Sequence, residues 1–427
     1  MARQRCTRRA FLCAIIKAMS APIPIRVRFP PSPTGFLHIG NVRTFVFNWL
    51  FARQHNGKIV LRLEDTDTTR SEKRFEDAII KDLKWLGLTW DEFYRQSERR
   101  EIHKKYLKQL LDTGKAYEEE DAIKLAVDKN KKLAFDDVIR GTIEFDTKHE
   151  KDFVIARNLD SPLYHLAVVV DDYIMGITHV IRGEDHIANT AKHILLQEAL
   201  GFTRPAYAHL PLILGADKTK LSKRHGAVSL EEYQAQGFLP EAMFNYLAVL
   251  GFTSPDGGEI HVREELIQMF DLSRVHKSGA VFDIKKLEWI NGEYLKKMTN
   301  DELLMTIGQK YQKILPMVRE RIKKLSDISE FDFFFEAPVV DPDMLTWKKS
   351  TLEASQNMLE EVKKIMEATD FQPDALRFAL DALSSDRGLV YWPLRVALSG
   401  KKASPDPVDI AMILGKEEVI KRIEKAI

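Results

Sequence analysis

Arg28-Phe29-Pro30-Pro31-Ser32-Pro33-Thr34-Gly35-Phe36-Leu37-His38-Ile39-Gly40-Asn41 carries the strongest signal in this chain, and Lys220-Leu221-Ser222-Lys223-Arg224 answers it far downstream. The first segment leaves an apolar strand and reaches Gly and His at the mouth of a helix, where free backbone N–H groups and the helix dipole favour bound phosphate. The second is a short basic loop able to close on the same phosphates.

Working outward, Ile25, Val27 and Phe29 alternate as a strand, and Asn41 precedes a helix whose Val42, Phe45, Val46, Trp49 and Leu50 share one apolar stripe. Asn56-Gly57 ends that helix. Ile59, Val60, Leu61 and Leu63 form a second strand that finishes at Glu64-Asp65-Thr66-Asp67, and a helix with Phe75, Ile79, Leu83 and Leu86 inward follows. Strand, helix, strand, helix at this spacing predicts a parallel α/β sheet, which places ligands at the carboxyl ends of its strands. A second α/β half begins near Tyr164. There Val168, Val169 and Val170 lead to Asp171-Asp172, Thr178 through Ile181 lead to Arg182-Gly183-Glu184-Asp185-His186, and Ala208 through Leu214 form an apolar strand delivering Lys218, Lys220 and Lys223.

The expected organisation is a disordered or mis-started tail over 1–22, a first Rossmann half over 23–116, a shortened mixed insertion over 117–157, a second half over 158–239, and two helical regions over 240–314 and 315–427. The fold class is therefore α/β, a Rossmann-type catalytic domain with a small insertion and an all-helical C-terminal region. In the tail, Thr7-Arg8-Arg9-Ala10-Phe11-Leu12 has the look of a twin-arginine export signal, but Lys17 interrupts the apolar run and Met19 offers a start just before the first strand. No stretch is long enough to cross a membrane.

Composition sets further bounds. At 427 residues, two or more domains are expected, and the 44% hydrophobic and 30% charged shares are ordinary for a globular chain. A net charge of +1 gives no global polyanion signal, so nucleic-acid contact must come from a local basic face. The two cysteines, Cys6 and Cys13, leave the body of the protein without a disulfide framework or a cysteine-built zinc site.

Taken together, Pro31-Ser32-Pro33-Thr34-Gly35-Phe36-Leu37-His38-Ile39-Gly40, Leu63-Glu64-Asp65-Thr66-Asp67, Val180-Ile181-Arg182-Gly183-Glu184-Asp185-His186 and Lys220-Leu221-Ser222-Lys223-Arg224-His225-Gly226 resemble a bacterial-type glutamyl-tRNA synthetase, a class I aminoacyl-tRNA synthetase. The resemblance runs from about Ile25 to the C-terminus in the family's order. It implies ATP-dependent ligation of L-glutamate to tRNA-Glu through a glutamyl-adenylate, with Mg²⁺ and without structural zinc, in a cytoplasmic monomer. The alternatives are an enzyme that also charges tRNA-Gln and a catalytically inactive tRNA-binding paralogue.

Matching positions imply roles. His38 and Lys223, with Lys220 assisting, would stabilise charge on the departing phosphates; Thr34, His38, Gly40, Asn41 and Lys223 would hold ATP. Arg28 and Arg182 would grip the glutamate carboxylates, Glu64 would take the α-amino group, and Ser32 and Tyr164 would complete the pocket with hydroxyls. A structural ion pair between Arg28 and Glu64, at the ends of adjacent strands, is the blander reading and is compatible with binding. Asn41 is common in this family where many class I relatives have a second His, Pro30 stands where the family often has Ala, Val168 where some relatives have a polar side chain, and Glu118-Glu119-Glu120-Asp121 passes almost directly into Ala122-Ile123-Lys124-Leu125 where the family has a longer segment. The basic and aromatic residues Arg319, Arg321, Lys323, Lys324, Tyr391, Trp392 and Arg395 read as core or solvated surface rather than base contacts.

Overall fold

Strands β1 (Arg26–Phe29), β2 (Lys58–Leu63) and β3 (Glu92–Arg95) form a parallel three-stranded sheet in the order β1-β2-β3. The computed structural model describes residues 24–427 apart from Thr68, Ala227, Val228 and the His149 side chain, so the expected tail over 1–22, with its twin-arginine pattern and both cysteines, lies outside the described residues. Val27, Phe29, Ile59, Val60, Leu61 and Leu63 are all buried, as the α/β reading requires.

The helix Ile39–Gln54 connects β1 to β2, and its burial exceeds the single stripe read from the sequence. Phe47 and Phe51 are buried along with Phe45, Val46, Trp49 and Leu50. Phe47 lies edge-on to Phe270 at 5.2 Å and Trp49 edge-on to Phe244 at 5.7 Å, so helices Arg263–Met269 and Pro240–Val249 cover the side turned away from the sheet. A helix apolar nearly all round has to be enclosed in this way.

In the insertion, β4 (Ala116–Glu119), β5 (Ala122–Leu125) and β8 (Phe153–Ala156) make an antiparallel sheet. Between them, β6 (Lys132–Asp137) pairs antiparallel with β7 (Gly141–Asp146) and joins the sheet of the second half, in the order β7-β6-β10-β9. Here β10 (Ala206–Leu210) runs parallel both to β9 (His179–Gly183) and to β6. Thr178 N–H donates to the Arg26 carbonyl at 2.8 Å, and Arg26 N–H donates to Thr178 Oγ1 at 2.8 Å. That reciprocal pair fastens the start of β9 to β1, so the carboxyl ends of both sheets open on one side.

Two elements differ from the sequence reading. Val168, Val169 and Val170 do not form a strand; they lie in the helix Tyr164–Ile174, whose Leu166 through Asp172 are all buried against helices Arg100–Asp112 and Ile187–Leu200. A short, wholly apolar run has no periodicity by which to separate a buried strand from a buried helix. The strand expected over Ala208 through Leu214 is broken at Pro211, which has no N–H for a ladder. β10 stops at Leu210, and β11 (Ile213–Leu214) pairs instead with β12 (Ala280–Val281).

The chain divides into two compact units, one comprising the described residues through Ala235 with Pro240–Ile290, the other Gln236–Leu239 with Asn291–Ile427. The second unit is helical. Its core is built by Leu359, Val362, Leu376, Leu380, Leu394, Ile410 and Ile423 from helices Leu352–Ala368, Pro373–Asp381, Arg387–Ser399, Pro407–Leu414 and Lys416–Ala426. Asp406 caps the fourth of these by accepting from Val408 N–H at 3.0 Å, with Pro407 behind it. Arg395 donates to the Pro405 carbonyl at 2.9 Å and Trp392 Nε1–H to the Met344 carbonyl at 2.8 Å, so both serve the unit's own packing.

Gly57 shows how tightly β2 enters the sheet: a Cβ there would stand 2.5 Å from the Ile25 carbonyl oxygen. Gly57→Ala is expected to destabilise the protein by about 1–3 kcal/mol, the usual cost of forcing an extra carbon against packed backbone. Urea denaturation of wild type and variant measures it; equal midpoints would contradict the close approach.

Candidate active site

A cavity of about 580 Å³ opens where the strand ends of the first unit converge. Arg28, Ser32, Thr34, His38, Gly40, Asn41, Glu64, Tyr164, Arg182 and Lys220 all line it; Lys223 does not. Lys223 begins an exposed single turn, Lys223–His225, just outside.

On the phosphate side, His38 occupies the N-cap of the helix Ile39–Gln54, its Nδ1 accepting from Gly40 N–H at 3.1 Å. Burial, and then the charge of Lys220, hold the imidazole pKa below its ordinary value against a hydrogen bond to the Leu221 backbone, so the ring is neutral and carries its proton on Nε2. No acidic residue stands in the first turn of this helix, which leaves its positive end available to an anion. The basic loop is tethered at both ends to the cavity walls: Leu221 N–H donates to Ile213 O at 2.9 Å, and Leu230 N–H to Leu37 O at 3.3 Å. Lys220 reaches Asp185 at 3.1 Å.

The opposite side is built on buried arginines. Arg28, 2% exposed, sets Nε 3.3 Å from Asp172 Oδ2. Arg62, wholly buried, donates to Asp172 Oδ1 at 2.8 Å and to Glu64 Oε1 at 3.1 Å. The ion pair that forms is thus Arg62 with Glu64, not Arg28 with Glu64. Glu64 follows directly on β2, two residues beyond Arg62, and the helical rather than extended course of Tyr164–Ile174 brings Asp172 beneath Arg28. Burial alone would weaken the hold of Arg62 on its proton, but Asp172, Glu64 and Asp171 outweigh it and raise its pKa. Burial raises the Glu64 carboxyl, with Arg62 and Arg28 pulling against it. Arg28 Nη1 is buried and finds no acceptor in the protein.

Residues 24–123 and 118–289 match the family described as tRNA synthetases class I (E and Q), catalytic domain, and residues 285–427 match the anticodon binding domain. The chain belongs to the class I tRNA synthetases of the E and Q group. Among its relatives, the glutamate–tRNA ligase of Aquifex aeolicus (strain VF5) is 41% identical over 93% of this chain and 98% of its own length. Glutamate–tRNA ligase 2 of Fervidobacterium nodosum (strain ATCC 35602 / DSM 5306 / Rt17-B1) is 40% identical over 94% and 96%. Among solved structures, a glutamate tRNA ligase from Elizabethkingia meningosepticum CCUG26117 in complex with its amino acid superposes with a TM-score of 0.81 at 32% identity, covering 95% of this chain and 99% of that one.

Arg182, which also lines the cavity, is held differently from Arg28. Arg182, at the end of β9 and 6% exposed, donates through Nη2 to Thr190 Oγ1 at 2.7 Å and through Nε to His209 Nε2 at 3.3 Å, and its Nη1 lies 3.3 Å from His193 Nδ1. Among the described residues no carboxylate pairs with it. Arg28 and Arg62 thus share two carboxylates, Asp172 and Glu64, whereas Arg182 is left without one. Tyr164 opens its helix with its hydroxyl 3.3 Å from His186 Nδ1, and burial, then Glu64, push the phenol up to about 12. Sequence reasoning assigned no role to Arg62, Asp172, His186 or His209. Arg62 had a usable signal, a lone charge inside the apolar run Ile59-Val60-Leu61-Arg62-Leu63.

Burial, with the charge of Arg182 among the contributions, lowers four histidines around this guanidinium. His165 and His186 fall to about 4, His193 falls well below its ordinary value, and His209 falls in spite of its bond to Asp137. A group that binds its proton more weakly folded than unfolded takes up a proton on unfolding, so stability rises with pH between the two values. Acidification from about pH 6.5, the unfolded histidine value, toward 4 is expected to destabilise the protein. His165→Gln with His186→Gln should flatten that slope in denaturation curves taken across the window; an unchanged slope would mean these rings are already charged in the fold.

Asp172 is the shared counter-ion of two buried arginines. Asp172→Ala is expected to cost about 3–5 kcal/mol, because it strands charge in the interior. Calorimetry of the variant checks this, and a loss below about 1 kcal/mol, the ordinary scale of an exposed pair, would show the pair to be solvated.

Proposed function

We propose that the protein ligates L-glutamate to tRNA-Glu in two steps, with ATP as the energy source. The observation that carries the reading is the meeting, in one cavity, of the His38 helix mouth and the buried guanidinium of Arg182, which no carboxylate among the described residues pairs with. Glutamate brings two carboxylates and one ammonium, a net charge of the opposite sign; glutamine is neutral and would leave an arginine unpaired. The names of the relatives point to the same amino acid.

On this reading, an oxygen of the glutamate α-carboxylate attacks the α-phosphorus of ATP. A C–O–P bond forms, the bond to the β-phosphate oxygen breaks, and pyrophosphate leaves. No protein nucleophile is needed, and catalysis is positioning plus stabilisation of charge. Arg28 and Arg182 hold the carboxylates, Glu64 takes the ammonium, and Ser32 and Tyr164 supply hydroxyls. Thr34, Gly40 and Asn41 cradle ATP at the helix mouth, where the Nε2–H of His38 meets a phosphate oxygen. Lys220 stands at the cavity already, whereas Lys223 acts only when its tethered loop closes, so that its contact strengthens as charge builds on the leaving group. A ribose hydroxyl at the acceptor end of tRNA then attacks the acyl carbon and releases AMP.

Mg²⁺ is expected to arrive with the triphosphate, whose oxygens supply most of its ligands, and no step is assigned to a protein-held ion. A zinc requirement does not fit a chain whose two cysteines are Cys6 and Cys13. The insertion 117–157 is assigned to the acceptor end, 240–314 to the stem, and 315–427 to the anticodon. We place the enzyme in the cytoplasm as a monomer; no described helix is long and apolar enough to cross a membrane.

Purified protein with Mg²⁺, ATP, glutamate and tRNA-Glu should form glutamyl-tRNA, with tRNA-Gln assayed in parallel to measure discrimination. Folded protein inert on tRNA-Glu would overturn the proposal. Lys223→Ala should lower kcat by about 10²-fold or more, the usual loss for one charge-stabilising donor, while unfolding free energy moves by less than about 0.5 kcal/mol.

A further inference from the structure

We infer that Asp137 and His209 are positioning residues that hold the Arg182 guanidinium in place with its charge uncompensated, reserved for a carboxylate of the substrate. The inference rests on the assignment of Arg182 to the amino-acid pocket. It makes a strand of the insertion part of the device that selects a carboxylate over an amide.

Asp137 ends β6 and His209 stands on the neighbouring β10, where Tyr207 is the register partner of Asp137. Both side chains are fully buried, and His209 Nδ1 lies 2.6 Å from Asp137 Oδ2. The other carboxylate oxygen is committed: Asp137 Oδ1 accepts from Ile139 N–H at 3.0 Å, Arg140 N–H at 2.8 Å and His209 N–H at 3.3 Å. Oδ2 must therefore accept the Nδ1 proton of His209, which strips the proton from Nε2 and turns that nitrogen into an acceptor. It receives Arg182 Nε–H at 3.3 Å and lies 3.0 Å from the Thr190 hydroxyl. On the far side, His193 Nδ1 faces Arg182 Nη1 at 3.3 Å, and the other nitrogen of that ring lies 3.2 Å from His165 Nδ1.

Neutral rings and a hydroxyl thus satisfy the directional bonding of Arg182 without cancelling its charge. An acid in the place of His209 would anchor the guanidinium equally well, but it would compete with the substrate for the charge. Arg28 illustrates the contrast, since Asp172 already faces it. The simpler reading, that Asp137 and His209 only tie β6 to β10, makes a different prediction.

In Asp137→Asn, the three backbone N–H groups keep the side-chain oxygen where Oδ1 now sits, so the amide NH₂ turns toward His209 Nδ1. The imidazole then carries its proton on Nε2, pointed at Arg182 Nε–H, and the acceptor is lost. In tRNA charging assays the KM for glutamate should rise about tenfold or more, the scale of one charge-assisted hydrogen bond, and rejection of glutamine should weaken, while the KM for ATP stays within about twofold. In a His209→Gln background, whose amide oxygen offers Arg182 an acceptor independent of residue 137, Asp137→Asn should add less than about twofold. Thr190→Val, which removes the 2.7 Å acceptor of Nη2, should repeat the selective rise in glutamate KM and serves if Asp137→Asn does not fold. Parallel rises in both KM values, no change in either, or an undiminished effect in the His209→Gln background would overturn the inference. Wild type that charges no glutamate would instead remove the pocket assignment itself.

Discussion

The carboxylate of Asp172 sits between two buried guanidiniums, Arg62 at 2.8 Å and Arg28 at 3.3 Å, and the arginine side of the cavity depends on it. Burying an arginine costs several kcal/mol unless an opposite charge and good hydrogen bonds come with it. Here one acid serves two cations, and Arg62 in turn holds Glu64 at 3.1 Å. The same arrangement sets where Arg28 and Glu64 present their free atoms, including an Arg28 Nη1 with no acceptor in the protein. Asp171, next in sequence, turns the other way. It accepts from Arg99 at 2.7 Å and lies 2.9 Å from His103, so the adjacent acids anchor the helix Tyr164–Ile174 on two sides.

The two halves of the site use opposite means to hold a buried arginine. Arg28 and Arg62 are neutralised, and the network is stiff because every charge in it has a partner. Arg182 is oriented by Thr190, His209 and His193, all uncharged acceptors, and its field is left for something that enters the cavity. Burial keeps the surrounding histidines neutral, and the arginine itself reinforces that by repelling a second proton. Charge surplus and rigid geometry together favour an anion of fixed shape.

The basic loop is tied at both ends: it leaves beside β11 and returns beside Leu37, with Lys220 lining the cavity and Lys223 outside it. His38 caps the helix and lines the cavity at once: Nδ1 is spent on Gly40 N–H, and the ring also bonds the Leu221 backbone at the start of the basic loop. The capping role and the proposed phosphate role, which compete as readings of a lone His before Gly, call on different nitrogens of one ring.

Local order was legible in the residues themselves. The alternation Ile25, Val27, Phe29, the Gly-containing helix mouth at His38 and the apolar strand before Glu64 each follow from short-range chemistry, and the order of the motifs identified the family. What no local pattern could supply was the pairing of groups distant along the chain. The Val168–Val170 run has no period to reveal a helix, so the position of Asp172 beneath Arg28, the partnership of Arg62 with Glu64, and the path from Asp137 through His209 to Arg182 emerge only when the sheets are laid side by side. Side-chain periodicity reports which face of an element is buried. Which charges meet there is set by the crossing of elements, and for buried arginines that meeting decides whether the charge is spent inside the fold or left for a ligand.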